Sequence, residues 1–263
     1  MAALEFFRLH VPIGLWILGL MSLLWVISLT LKNSSIVDIF WGTGFIITSW
    51  IAFVRTIETV GARDWLIVIL VTIWGLRLSL YVLWRNAGKG EDFRYAKWRN
   101  EAGSSWWWKS YFKVFLLQGL IMWVVAAPLT AIQLPGANDS LGILDYLGIA
   151  IWALGFYFEV VGDAQLVKFK ANRDKEEKLL NTGVWRYTRH PNYFGDSAQW
   201  WGFYIIALSS GAWWTIISPI LMTYFLVKVS GVAMLERTLK NTKPEYEDYA
   251  QKTNAFIPWF PKK

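Results

Sequence analysis

Seven apolar stretches recur along the 263 residues, near 11–31, 37–54, 65–84, 110–133, 143–163, 194–208 and 213–235, with a length suited to crossing ~30 Å of hydrocarbon. A backbone in lipid has no water to bond, so each stretch must satisfy its own amides and is read as a helix. Composition agrees, since 55% hydrophobic residues, 19 Trp and a mean hydropathy of +0.34 lie well outside soluble norms. The expected fold class is an all-α integral membrane protein of seven transmembrane helices, the sixth short, forming a single domain over 1–263. No linker, low-complexity tract or solenoid period divides it. The first stretch follows Pro12 without a basic flank or a small-residue cleavage site, so it reads as a retained helix.

Lys and Arg are shared unevenly among the connections. Lys32 stands in the first and Arg55 and Arg63 in the second; 85–109 holds six, 134–142 none, 164–193 seven, 209–212 none, and the tail from Arg237 holds six. The positive-inside rule then places the N-terminus outside, the C-terminus in the cytoplasm, and the segments 85–109, 164–193 and 236–263 on one side. The net charge of +7 is spent in these loops, which argues for membrane lipids as partners and against nucleic acid. The absence of Cys excludes disulfides, thiolate nucleophiles and iron–sulfur clusters, and two His leave little for a metal site, so no metal is expected.

The stretch N-T-G-V-W-R-Y-T-R-H-P-N-Y-F-G-D-S-A-Q, Asn181 to Gln199, is the densest in chemistry. Gly183 permits a turn, and Pro191 suits the first turn of a helix. Arg186 and Arg189 give fixed charge and Trp185 and Tyr187 flat faces beside a helix N-terminus, a seat for a phosphorylated nucleotide. The plainer reading is a basic loop that only fixes topology.

Acids at membrane borders form the second class of candidates. Asp38 opens the second helix in S-I-V-D-I-F-W-G-T-G, as a cap of the first turn or as a functional carboxyl. In the third helix Arg77 and Tyr81 lie four apart on one face, and the run continues into W-R-N-A-G-K-G-E-D-F-R-Y-A-K-W-R, where Arg85, Lys89, Arg94, Lys97 and Arg99 mix with Glu91, Asp92 and Tyr95 as a phosphate site or a solvated face. The G-K-G at 88–90 fits neither a dinucleotide fingerprint nor a P-loop, so no Rossmann domain is expected. Glu159 and Asp163 share a face near the end of the fifth helix and are expected to face inward, and Asp196 is expected in the first turn of the sixth.

The patterns W-R-N-x-G-K-G-E-D-x-R-Y, G-V-W-R-Y-T-R-H-P-N-Y-F-G-D and K-P-E-Y-E-D-Y-x-x-x-T-x-A-F-I-P-W-x-P resemble a bacterial multi-pass membrane family allied to the steroid 5-alpha-reductases. The resemblance covers nearly the whole chain. It implies a bacterial inner membrane, seven helices and an NADPH cofactor bound on the cytoplasmic side. Carried residue by residue, it assigns Tyr187, Asn192, Gly195 and Asp196 around the sixth helix, and Glu159 with Asp163 at the nicotinamide and ribose. Arg94, Tyr95 and Arg99, Lys170 and Arg173, Arg189, His190 and Tyr193, and Glu236 with Arg237 complete the expected cofactor-binding set. Asp38 and Tyr81 are the expected catalytic residues. The Gln-Glu pair of the steroid enzymes is replaced by Val37 and Asp38, and their histidines after the last helix by Leu235, Glu236 and Arg237, which separates this chain from them on substrate.

The reaction implied is hydride transfer from NADPH to a conjugated enone in a steroid-like or other lipophilic substrate, with a buried acid donating to the carbonyl oxygen. R-H-P-x-Y before a membrane helix also resembles the isoprenylcysteine carboxyl and phospholipid methyltransferases, which bind S-adenosylmethionine. A non-catalytic lipid-binding protein is the third reading, in which every intramembrane acid is a structural ion pair.

Overall fold

The computed structural model describes residues 2–136, 140–171, 179–229, 231–232, 235–237, 239 and 245–262. Every regular element among the described residues is helical. The helices are α1 (Ala2–Leu31), α2 (Ile36–Arg55), α3 (Ala62–Asn86), α4 (Phe93–Ala102), α5 (Trp106–Ser110), α6 (Leu117–Val125), α7 (Ala127–Ile132), α8 (Ile143–Ala171), α9 (Pro191–Ser209), α10 (Ile217–Tyr224) and α11 (Tyr246–Lys252). Five runs are long and apolar enough to cross a membrane: Ala3–Leu31, Ile36–Arg55, Ala62–Asn86, Phe93–Ile132 and Ile143–Ala171. The chain is a multi-pass membrane protein.

The expected sixth and seventh spans differ from these five. α9 is long enough, but Asn192, Asp196, Ser197 and Gln199 on it lower its hydropathy, and most of its residues are buried in the protein. Trp213–Val229 is apolar but short, about 25 Å at 1.5 Å per residue. The fourth run starts well before residue 110. Asp92 accepts a hydrogen bond from the Arg94 amide and opens α4, and the run continues through a π turn at Tyr111–Leu116 and a break at Ala126, where Pro128 stands in the first turn of α7.

Two compact units divide the chain, Met1–Leu141 with Ser210–Thr215, and Gly142–Ser209 with Ile216–Lys263. In the first, α2 and α3 meet at Gly42 and Gly75, where a Cβ on Gly75 would stand 2.7 Å from the Gly42 carbonyl oxygen. The contact is capped by Ser79, whose hydroxyl oxygen accepts from the Thr43 amide at 3.0 Å. His10 of α1 is held between the Phe6 and Trp123 rings, with Nδ1 3.0 Å from the Thr130 hydroxyl and Nε2 3.0 Å from the Trp123 carbonyl oxygen. Both ring nitrogens are thereby satisfied inside an apolar run.

In the second unit α8 and α9 pack antiparallel on glycines spaced seven apart. Gly148 faces Gly202, Gly155 faces Gly195, and Gly162 faces Pro191. A Cβ on Gly155 would lie 2.5 Å from the Gly195 carbonyl oxygen and one on Gly148 2.8 Å from that of Gly202, so the backbones touch where membrane helices gain by close approach. Glu159 and Asp163 are carried on the buried side of this pair.

A methyl group at Gly155 cannot fit without separating the helices, so Gly155→Ala should destabilise by about 1–3 kcal/mol or more. Gly19→Ala, with nothing within 4 Å of the new atom, should be neutral. Thermal unfolding of both variants in detergent, read by helical circular dichroism, checks the pair.

Candidate functional site

Among the described residues each unit contains dense polar clusters. In the first, α2 begins at Ile36 and carries Asp38 on its first turn. Asp38 is no cap: Ser35 occupies the N-cap position, and it is Asn33 whose Oδ1 accepts from the Ser35 amide at 3.0 Å and hydroxyl at 2.6 Å. The Asp38 carboxylate instead accepts from two side chains of α4, with Tyr95 OH 2.6 Å from Oδ1 and Arg94 Nη2 3.0 Å from Oδ2. Gln118 Nε2 in turn donates to the Tyr95 oxygen at 3.1 Å. Tyr95 is buried, whereas the Asp38 and Arg94 side chains keep 23% and 28% of their surface exposed, so the cluster has one reachable edge.

The acids of the 85–109 segment hold its arginines. Arg94 Nε donates to Asp92 at 2.8 Å, and Arg99 grips Glu91 with Nε and Nη2, both at 2.8 Å. Burial works against charge on Glu91, but the Arg99 hydrogen bonds and the Ser34 amide outweigh it and hold the carboxyl below its usual range. Asp92 is likewise lowered, burial being outweighed by the Arg94 side chain and amide. Tyr81 on α3 is flanked by two guanidiniums of its own face, Arg77 at 5.1 Å and Arg85 at 5.7 Å from the ring centroid.

In the second unit the loop before α9 is clamped to the C-terminal tail. Gly183, at φ +60°, and the short helical turn Gly183–Arg186 lead into Arg189, whose amide donates to the Asn254 carbonyl oxygen at 2.9 Å. The Arg189 side chain is 9% exposed; Nε and Nη2 donate to Glu236 Oε1 at 2.8 and 2.5 Å, and Nη1 donates to the carbonyl oxygens of Ala250 and Thr253. Tyr246 OH adds a bond to Glu236 at 3.2 Å, and Tyr249 OH donates to the Trp185 carbonyl. His190 Nε2 lies 3.4 Å from the same Glu236 oxygen, at ion-pair separation but outside hydrogen-bond alignment, with its ring stacked on Tyr193. Burial alone would raise Glu236, but His190 and Arg189 outweigh it and bring its carboxyl down to about 2. Burial, with the Glu236 charge beside it, pushes the Tyr246 phenol up to about 12.

Along α8 and α9 the acids meet amides. Gln199 Nε2 donates to Glu159 Oε2 at 2.6 Å and to the Gly195 carbonyl at 3.2 Å, and Asn192 Nδ2 donates to Asp163 Oδ1 at 3.1 Å. Among the described residues no three His, Asp or Glu are grouped to hold a metal ion.

Residues 24–253 match a family model described as a protein of unknown function, DUF1295. The chain belongs to that family. It is similar to the fission yeast (Schizosaccharomyces pombe) uncharacterized protein C594.04c, 26% identical over 92% of this chain and 77% of the relative. A second protein of that yeast, uncharacterized protein C9.08c, is 26% identical over 43% of this chain and 44% of its own length. Both relatives are fungal, whereas the sequence resemblance pointed to a bacterial inner membrane. No solved structure matches the chain.

The sequence-derived residues of this DUF1295 chain therefore fall into separate groups. Asp38, Arg94 and Tyr95 are brought together, and Arg99 is drawn to Glu91 instead. Glu159 and Asp163 pair with α9, where the helix starts at Pro191, so Asp196 stands in the second turn and not the first. Arg189, His190 and Glu236 form the clamp, Tyr187 packs on Phe260, Arg237 is exposed, and Lys170 lies exposed in the last turn of α8. Arg173 lies outside the described residues. Sequence reasoning missed Gln118, Gln199, Tyr246 and Tyr249. Gln199 was findable, since it stands seven residues after Asn192 and hence on its face of α9.

The folded Glu236 carboxyl lies at about 2 against an ordinary 4.5, so its contribution is fully present above pH 4.5 and is lost as pH falls from there toward 2. Wild-type protein should lose thermal stability over that window, and Glu236→Gln, already lacking the charge, should show a smaller loss. Melting curves of both in detergent between pH 6 and pH 2 test this.

Proposed function

We propose that this protein is an NADPH-dependent reductase of a conjugated carbon–carbon double bond in a steroid-like or other lipophilic substrate. We further propose seven spans, with the short Trp213–Val229 segment and α9 completing them, an outward N-terminus and a cytoplasmic C-terminus, as the loop charges require. The observation that carries the reading is the hydrogen-bond chain Gln118 to Tyr95 to Asp38, closed by Arg94 and open at one edge. An apolar setting tolerates such a cluster only at a cost, which points to function.

The residues present fit the cofactor. Asp163 and Glu159 are buried acceptors able to take ribose hydroxyls or a carboxamide, and Arg186, Lys168, Lys170 and Arg237 are exposed cations suited to phosphate. Bound NADPH supplies the hydride that adds to the beta carbon. As it adds, negative charge grows on the carbonyl oxygen. Asp38 accepts hydrogen bonds at both oxygens, so it acts as the carboxylate that fixes Arg94 and Tyr95; the single Tyr95 proton is already given to Asp38, and the group that offers a proton to the enolate is the partly exposed Arg94 guanidinium, with five N–H donors. Tyr81, its ring flanked by the Arg77 and Arg85 guanidiniums, is the other candidate to polarise the carbonyl.

One observation favours the second reading. Arg94, Arg99 and Arg189, three of the guanidiniums assigned to phosphate, already hold carboxylates, and S-adenosylmethionine has no phosphate to bind. Titration of purified protein with NADPH, NADH and S-adenosylmethionine decides between the two; NADPH should bind best, and binding of S-adenosylmethionine alone would assign a methyltransferase. No binding of any of the three would leave the lipid-binding reading.

Asp163→Asn should weaken NADPH binding by about 1.5–3 kcal/mol, the worth of a charge-assisted bond. Tyr95→Phe should leave nucleotide affinity nearly intact while slowing single-turnover hydride transfer, because Tyr95 helps fix the Asp38 carboxylate that orients Arg94, and a donor that acts on developing charge adds little to the ground state.

A further inference from the structure

An apolar patch stands outside every membrane-crossing helix. The tail after α11 exposes Ile257 (66%), Trp259 (67%) and Phe260 (72%), and Tyr187 of the loop before α9 packs edge-on against Phe260. Large exposed apolar groups this close together mark a surface that meets something. Tail and loop form one body: Trp259 N donates to the Tyr187 carbonyl at 2.9 Å, Thr188 Oγ1 to that of Phe256 at 2.8 Å, and Lys262 N to that of Lys252 at 2.8 Å. The patch is therefore held in place by backbone bonds and is no loose terminus.

Its depth follows from α8. A span of ~30 Å at 1.5 Å per residue takes about 20 residues, so a crossing that begins at Ile143 reaches the opposite interface near Gly162. The loop is pinned at that level, with Trp185 Nε1 donating to the Gly162 carbonyl at 3.1 Å and the Val184 amide to Gln165 Oε1 at 3.1 Å. Clamped to the loop, the tail lies at the same height. Trp and Tyr are the residues favoured at headgroup level, and the exposed Arg186, Lys252 and Lys262 flank the patch with positive charge, against Glu247 and Asp248 in the first turn of α11.

We propose that Ile257, Trp259, Phe260 and Tyr187 form a membrane-interface anchor, with the rings at the boundary of headgroups and acyl chains and the cations on anionic lipid headgroups. The anchor fixes the height of the Arg189 clamp at the surface, and it stands independently of the reductase reading. The occupant is the bilayer because the patch continues the level at which α8 leaves the hydrocarbon and carries the charge that an anionic leaflet attracts.

The chain has no Cys, so a single nitroxide can be attached at Ile257→Cys or Phe260→Cys, with Glu247→Cys as the aqueous control. In vesicles of phosphatidylcholine with phosphatidylglycerol, labels at 257 and 260 should relax with oxygen in preference to a water-soluble nickel chelate, and the label at 247 should show the reverse. Removing the phosphatidylglycerol should shift 257 and 260 toward the nickel chelate. Equal nickel access at all three positions overturns the proposal, and so does protection of 257 and 260 from both relaxers, which would mean a protein partner or a second copy covers the patch. A melting temperature matching the unlabelled protein confirms that each labelled chain is folded.

Discussion

A polar side chain held away from water must find its partner inside the protein, and this requirement orders the molecule. Asp38 takes two donors from α4, Glu159 and Asp163 take amides from α9, and His10 is satisfied at both ring nitrogens. Helices are brought close enough for such bonds by glycine, most clearly where Gly155 and Gly195 let the α8 and α9 backbones touch. Each pairing costs desolvation and is recovered only by good geometry, which is why the donors come from side chains already fixed on helices.

The same requirement decides which charges are left for function. A basic loop looks from composition like a reservoir of phosphate ligands. Here Arg99 is held by Glu91 in a two-pronged bond and Arg189 by Glu236 and two backbone carbonyls, so both arginines build structure first. Among the described residues the edge of the Asp38 cluster stays reachable, and Arg186 is exposed. A carboxylate that orients a guanidinium is a different device from a protonated acid, although each leaves an N–H or O–H donor to face a developing enolate.

The clamp of Arg189 gives the aromatic, proline-containing tail a fixed place against the loop before α9. With its amide on Asn254 and its side chain on Ala250 and Thr253, Arg189 ties the loop that enters α9 to α11 and to everything after it. Loss of Glu236 charge in acid would loosen the tail and the entry to α9 together.

Much of this was legible in order of appearance. Hydropathy alone located the five runs long and apolar enough to cross a membrane, because a span is a one-dimensional property of about 20 residues, and the shared face of Glu159 and Asp163 followed from their spacing of four. Boundaries were less legible: α4 begins at Phe93 because Asp92 caps it, and α9 falls short in hydropathy because its polar face is turned into the protein. Partner choice was not legible at all. That Asp38 meets Arg94 and Tyr95 across more than fifty residues of chain, that Arg189 meets Glu236 and that Gln199 meets Glu159 depend on which helix faces lie together. The sequence by itself determined a multi-pass helical membrane protein with charged loops and inward acids, since those follow from composition and period. Only the tertiary structure decided which arginines are bound and which are open, since a hydrogen bond is set by distances of a few tenths of an ångström that no spacing along the chain encodes.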